Sequence, residues 1–366
     1  MKIVEGIITA VSPLHLGDGQ SRGTFLSTLS YIPGRTIRGM LGYYLYHHNK
    51  DLFSRSGIDE EDDPHKMKVF FRNAYPVTKD GMRTVAAPLS VRWCKKCGSI
   101  IPAGKTECGV IDDCGKPCLH EGKKHSGLIS LHSFETRKLE RPVMPDRSIE
   151  TKCPITRDSH SSPGGRDEGF ELSPYNIESV DPGAKFSFRM VVDEALEKEI
   201  VTSLIKAAAT GGIGGFRSRG YGLVTFGNIR SIPLESELQN RESQMSESSP
   251  ATLVVTSPMI LRNVNLSRIG FDDVFVSRVN ETLQFCGVPD TVSQLDIAEP
   301  HISGTIARGW SLKYNNSLGE LIPCIGMGSS VKIRASCRAL AALEVFGIGE
   351  KMNYGYGEVY VLPWGR

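Results

Sequence analysis

The chain has 366 residues, 40% of them hydrophobic and 23% charged, with a formal net charge of +2. That length makes two domains the starting expectation, and the composition is that of a globular chain with a buried core. Near-neutral charge excludes a binder that works by overall basicity, so any surface for a polyanion must be built locally. Residues 1–11 lack signal-peptide architecture and no apolar run approaches membrane-spanning length, so a cytoplasmic location is expected.

Ile3 to Val11 is apolar and β-branched and reads as a first strand. Ser12 to Gly19 follows as a loop that holds His15 and Asp18. Pro33-Gly34 then leads into a helix on which Ile37, Leu41, Tyr44, Leu45 and His48 share one side. Arg35 and Arg38 fall in its first turn, where the helix dipole favours anions, so a phosphate or a nearby carboxylate is expected to face them. Residues 54–65 are acidic and polar and read as a surface loop.

Five of the nine cysteines lie between positions 94 and 118. This clustering fits a reducing compartment and a metal site better than a disulfide framework. Cys94-Lys95-Lys96-Cys97-Gly98 is a knuckle, followed by Cys108, Cys114, Cys118, His120 and His125. Zinc needs four ligands held tetrahedrally, and two short cysteine turns supply them. Cys94 and Cys97 form one pair. Cys114 and Cys118 are the expected second pair, with Cys108 the substitute if the three-residue gap is awkward. Four protein ligands close the site, so its role would be structural; unconnected free thiols are the alternative. Residues 134–170 carry Arg137, Lys138, Arg141, Arg147, Lys152, Arg157 and Arg166, with Ser161-Ser162-Pro163-Gly164-Gly165 inside. They read as an extended hairpin that suits a polyanion, or as an ordinary solvated loop.

Phe186 to Val192 alternates as a strand, and Asp193 can cap the helix that follows. Leu196, Ile200, Leu204, Ile205 and Ala208 form the apolar face of that helix, and Gly211-Gly212 ends it. Next comes Gly212-Ile213-Gly214-Gly215-Phe216-Arg217-Ser218-Arg219-Gly220-Tyr221-Gly222: Gly-apolar-Gly, five residues, Gly-apolar-Gly. The skeleton returns at Gly347-Ile348-Gly349 and Gly355-Tyr356-Gly357, again between a helix-like and a strand-like run. Such a turn beside a helix end can present amides to an anion. Neither copy has the Lys-Ser/Thr ending of a Walker loop or opens a helix as a dinucleotide fingerprint does. Two copies in matching places point to an internal duplication.

Residues 233–250 are polar and Ser/Glu-rich and read as a linker. Beyond them, Thr252–Ile260, Trp310–Tyr314 and Gly328–Ala335 read as strands, and Ser336–Phe346 as a short helix with Leu340 and Leu343 on one face. A last strand, Glu358–Leu362, closes the chain. Strand, helix, strands, helix, glycine loop, strand is the split βαβ pattern. The expected fold class is α+β: two tandem ferredoxin-like (RRM-like) domains over residues 1–232 and 251–366. The first is enlarged by a zinc insertion at about 94–125 and a basic loop at about 134–170.

Tandem domains that each end in this glycine loop resemble the RAMP superfamily (repeat-associated mysterious proteins) of CRISPR–Cas systems. YIPGRTIRGML, residues 31–41, is similar to the first-helix motif of that superfamily. GWSLKY (309–314) and GSSVKIRA (328–335) look like segments of the subunit that caps the 5′ handle of the guide RNA in type III effector complexes, with the III-D branch the preferred assignment. The resemblance implies a non-catalytic subunit that binds the single-stranded handle and anchors the base of the complex. Its neighbours would be the large polymerase-like subunit and the backbone RAMP subunits, with no membrane partner. Carried over by position, Arg35 and Arg38, and Gly212, Gly214, Gly215, Arg217, Ser218, Arg219 and Gly220 of the first loop, would contact RNA, with His15 near the handle site.

The second loop departs from this chemistry, because Glu350 disfavours phosphate and Lys351 is its one basic residue. It is expected to pack against the first domain, with Tyr354 or Tyr356 available for stacking. Two further readings stand beside the scaffold. One is a ribonuclease, using His15, His47 or His48 as acid or base, or Asp18, which also reads as a turn residue between Gly17 and Gly19. The other is a pure assembly protein with both loops buried.

Overall fold

The computed structural model describes residues 1–18, 24–60, 63, 65–101, 107–111, 116–136, 138, 143–153, 174–245, 250–263, 266–308, 310–311 and 317–362. Within them the chain is mixed α and β.

The β-branched N-terminal run forms β1 (Lys2–Ala10), which is central in an antiparallel sheet with β2 (Val69–Phe71), β3 (Lys185–Val192) and β4 (Val224–Pro233), in the order β4-β1-β3-β2. β1 and β3 pair from Lys2↔Val192 to Thr9↔Lys185. Tyr75–Pro76 adds a short pairing further along β3. Side chains alternate across a strand. Val4 and Ile8 therefore point to one core, where Ile37, Leu41 and Leu45 of α1 (Gly34–His48) meet Ile200 and Leu204 of α2 (Glu197–Gly211). Ile3, Phe70 and Val191 point the other way, into a second core.

That second core belongs mostly to the C-terminal half. β5 (Ala251–Val255), β6 (Ile297–His301), β7 (Ser330–Ile333) and β8 (Val359–Val361) form a sheet of order β8-β5-β7-β6, which repeats the first. The helix at its centre is α5 (Cys337–Phe346), with Ser336 accepting the N–H of Ala339 as its cap. α5 buries more than the face on which Leu340 and Leu343 lie. Ala339 through Leu343, Val345 and Phe346 are all buried, because residues of both sheets pack on this helix. Phe70 of the first sheet meets the Phe346 ring edge-on at 5.6 Å. A helix whose apolar residues run round most of its surface is a buried helix. The two charged residues of α5, Arg338 and Glu344, are both paired.

Two other helices differ from the sequence reading. The segment read as a linker forms α3 (Leu234–Ser243), with Leu238 buried. Its polar residues serve the interface between the halves: Glu237 pairs with Arg189 at 2.8 Å, Arg241 with Glu344 at 2.6 Å and Glu235 with Arg338 at 2.6 Å. α4 (Asp273–Phe285), unplaced from sequence, is capped by Asp272 and buries Phe275, Val279 and Leu283 at four-residue spacing. The residues of GWSLKY that are described contribute a short strand, Trp310–Ser311, paired with Ser317–Leu318. No helix among the described residues is long and apolar enough to cross a membrane.

Candidate nucleic-acid interface and metal cluster

The first glycine loop is held from behind by the exit of β1. Ile213 donates to the Gly222 carbonyl, Gly222 to that of Pro13 and Gly215 to that of His15, each at 2.8–2.9 Å. Gly212, Gly214, Gly220 and Gly222 have φ of 59, 79, 87 and 90°, which L side chains rarely adopt. A Cβ on Gly214 would stand 2.5 Å from the His15 carbonyl oxygen, and one on Gly212 would stand 2.6 Å from that of Gly222. Gly212 thus packs on Gly222, and Gly214 and Gly215 pack on His15 at the β1 exit. What the loop presents outward is a single 3₁₀ turn in which Arg217, Ser218, Arg219 and Gly220 are all exposed.

Both arginines are positioned. Arg217 Nη1 donates to the Gly211 carbonyl at 3.0 Å, which also places a cation at the C-terminal end of α2. Arg219 Nη1 donates to the Tyr175 hydroxyl at 2.6 Å, with its guanidinium carbon 5.4 Å from the Phe216 ring centroid. Tyr175 lies on the stem of the basic hairpin, where Arg147–Lys152 pairs antiparallel with Tyr175–Val180. Within that stem Lys152 pairs with Glu150, and Arg147 with Glu178 at 3.3 Å. Lys138 is described; Arg137, Arg141, Arg157, Arg166 and residues 161–165 lie outside the described residues.

His15 is buried. Its Nδ1 donates to the Glu178 carbonyl at 2.8 Å, and its ring lies 5.1 Å from that of Phe216. It thus ties the β1 exit to the hairpin stem and backs the glycine loop. Asp18 accepts the Ser27 hydroxyl at 2.7 Å. His47 and His48 sit in the last turn of α1, against Tyr43 and Tyr44.

The second glycine loop has the same backbone. Ile348 donates to Gly357, Gly357 to Pro258 and Glu350 to Ile260, at 2.9–3.0 Å. The loop packs against the first half, as expected, and does so on Arg35 and Arg38. Both are half-buried against this loop. The Arg38 guanidinium carbon lies 3.7 Å from the Tyr354 ring centroid, and Arg35 Nη1 donates to the Tyr356 hydroxyl at 2.9 Å. The start of α1 is closed as well: Gly34 N–H donates to Asn73 Oδ1 at 2.7 Å, and a Cβ on Gly34 would stand 2.9 Å from the Tyr354 carbonyl oxygen.

A buried polar network extends this contact. Glu358 accepts from the Asn73 N–H and, at 3.1 Å, from the Tyr75 hydroxyl. Arg72 donates to the Val345 carbonyl at the end of α5. Burial pushes the Glu358 carboxyl above its ordinary range and lowers the Arg72 guanidinium to about 10. The sequence did carry one signal for this repeated geometry: Ser12-Pro13 and Ser257-Pro258 follow the first strand of each half. In each, the serine hydroxyl accepts the N–H after the loop's last glycine, from Leu223 at 3.0 Å and from Glu358 at 2.8 Å.

The cysteine insertion brings together Cys94, Cys97, Cys108 and Cys118, with all four sulfurs within 4.8 Å of one another. Cys114, expected in the set, lies outside the described residues, and the substitute Cys108 stands in the cluster. The reason is local. Cys108 donates to the His120 carbonyl, Gly109 to that of Cys118, and Cys118 to that of Val110, at 2.8–3.1 Å, so an antiparallel turn lays Cys108 beside Cys118. The Cys94–Cys118 and Cys97–Cys108 sulfur separations are 3.6 and 3.5 Å. A tetrahedral ion with metal–sulfur bonds of about 2.3 Å sets sulfurs about 3.8 Å apart. The cluster therefore fits a thiolate-bound metal ion. Burial pushes the Cys108 thiol up to about 12, a cost that a bound cation would offset.

The RAMP superfamily model matches residues 7–225, more than half of the chain, and the chain belongs to that superfamily. No curated protein matches it significantly. Among solved structures it is similar to a chain of the type III-B Cmr-beta complex bound to cognate target RNA, at 16% identity and a TM-score of 0.35. That alignment covers 63% of this chain and 61% of the other, so it spans about three fifths of that protein's length. A RAMP protein binding different RNA substrates aligns at 10% identity and a TM-score of 0.43 over 99% of both chains. A chain of Cmr-beta with cognate target RNA and AMPPnP aligns at 11% and 0.43, over 91% of this chain and 86% of the other.

Proposed function

We propose that this chain is a non-catalytic RNA-binding subunit of a CRISPR type III effector complex. It holds the single-stranded 5′ handle of the guide RNA and anchors the complex base in the cytoplasm, with the III-D branch the preferred assignment. The large polymerase-like subunit and the backbone RAMP subunits are its partners. The reading takes the chain as two tandem ferredoxin-like domains with a structural zinc site formed by Cys94, Cys97, Cys108 and Cys118. Membership of the RAMP superfamily supports the class.

The observation that carries the reading is the exposed Arg217–Gly220 turn, backed by glycines that let the β1 exit approach and hold it rigid. A fixed turn with two arginines suits a single-stranded backbone. The burial of His15 and its bond to the Glu178 carbonyl support a positioning role for it over that of an acid or base. The test is RNA affinity as a function of salt for Arg217→Ala combined with Arg219→Ala. The expected result is weaker binding and a salt slope flattened by up to about two units. Unchanged affinity would favour a pure assembly role. Cleavage of RNA by the purified complex, lost in Asp18→Ala or His15→Ala, would favour the ribonuclease.

A further inference from the structure

The two glycine loops share a backbone and exchange two side chains. Phe216 and Lys351 occupy the same left-handed position, with φ of 56 and 55°, and each opens a 3₁₀ turn closed by a glycine, Gly220 at 87° and Gly355 at 83°. Arg219 and Tyr354 are the last residues of those turns. In the second loop the cation comes first and the ring last: Lys351 lies over the Tyr354 ring at 5.9 Å. In the first loop the ring comes first and the cation last: Arg219 lies over the Phe216 ring at 5.4 Å. The same pair is built twice, with its members swapped.

The second loop also shows what docks there. Tyr354 takes a further cation from outside the loop, the Arg38 guanidinium at 3.7 Å. At the equivalent place the first loop offers a guanidinium, so the complementary outside group is a π face. Arg219 is exposed and already oriented, its Nη1 held by the Tyr175 hydroxyl and the Phe216 ring beside it. A guanidinium is planar and stacks on aromatic faces, and an unpaired nucleobase is the π system that a single-stranded RNA presents.

We propose that Arg219 stacks on an unpaired nucleobase of the bound RNA, with Phe216 and Tyr175 fixing its plane, and that phosphate contact falls to its neighbours. This rests on the RNA-binding reading of the first loop. It departs from that reading in assigning Arg219 to a base.

The experiment uses the full chain and two probes: a single-stranded oligoribonucleotide of about ten nucleotides, and a ribose-phosphate chain of the same length without bases. Affinities are measured by fluorescence anisotropy across a salt series for the wild type, Arg219→Lys and Arg219→Ala. Lysine keeps the charge and removes the plane. The expected result is that Arg219→Lys binds the base-bearing probe about tenfold more weakly, keeps the wild-type salt slope, and binds the baseless probe as the wild type does. If Arg219→Lys binds both probes as the wild type does, while Arg219→Ala lowers the salt slope by about one unit, the contact is to phosphate and the stacking proposal is overturned. Equal wild-type affinity for the two probes overturns stacking and leaves RNA binding standing. A wild type that binds neither probe at low salt overturns both.

Discussion

Arg38 and Tyr354 show a demand that the sequence states, met by a group that the sequence does not place beside it. Two arginines in the first turn of a helix call for compensation, and that demand was legible in the sequence. The compensating group was not, because it arrives from more than three hundred residues away, as the face of Tyr354 and the hydroxyl of Tyr356. The Ser-Pro dipeptides at 12–13 and 257–258 were legible in principle, since each places a hydroxyl where the N–H following the glycine loop needs an acceptor. The account predicts that Arg38→Ala lowers stability by about 1–2 kcal/mol. The effect should be coupled to Tyr354→Ala in a double-mutant cycle of denaturant unfolding, with RNA affinity unchanged. Additive single effects, or a loss of RNA affinity in Arg38→Ala, would return Arg38 to the RNA surface.

At the scale of elements, the glycine loops were readable because positive φ restricts residue choice, so the spacing of the glycines reports the backbone directly. The strands and helices flanking them follow largely from period. Asp193, expected to cap α2, accepts from the Ala195 N–H, while the cap position of α2 is Leu196, without a side-chain cap. Ile205, expected on the apolar face, is exposed. α4 could have been found from Asp272 and the spacing of Phe275, Val279 and Leu283. α3 was hidden because its charges look like solvation when read alone, whereas they pair with Arg189, Glu344 and Arg338 on elements distant in sequence. The cysteine insertion lies between these cases. Cys94 and Cys97 announce a knuckle, but which later cysteines complete it depends on the antiparallel pairing that brings Cys108 beside Cys118. Purified chain is expected to carry stoichiometric zinc by elemental analysis, with Cys108→Ser losing it and Cys114→Ser keeping it. The opposite pattern would restore the Cys114–Cys118 pairing.

For the molecule as a whole, one sheet order and one loop backbone recur in two settings. The loop of the second half is closed by the first half through Gly34, Arg35, Arg38 and Asn73, and α5 is buried against both sheets. These contacts join the two halves. The loop of the first half keeps the same backbone and turns Arg217, Ser218, Arg219 and Gly220 outward. The repeated loop backbone was legible in the sequence from the glycine skeleton. The difference in setting between the two loops was foreshadowed by Glu350, which pairs with Arg262 at 3.4 Å and Arg278 at 3.2 Å within its own half.

The central claim is that the open loop holds a guide RNA, and the most direct measurement is the RNA that accompanies the protein on purification, extracted and sequenced. The account predicts short RNAs that share one 5′ sequence. Protein free of nucleic acid, with no affinity for added guide RNA at low salt, would contradict it.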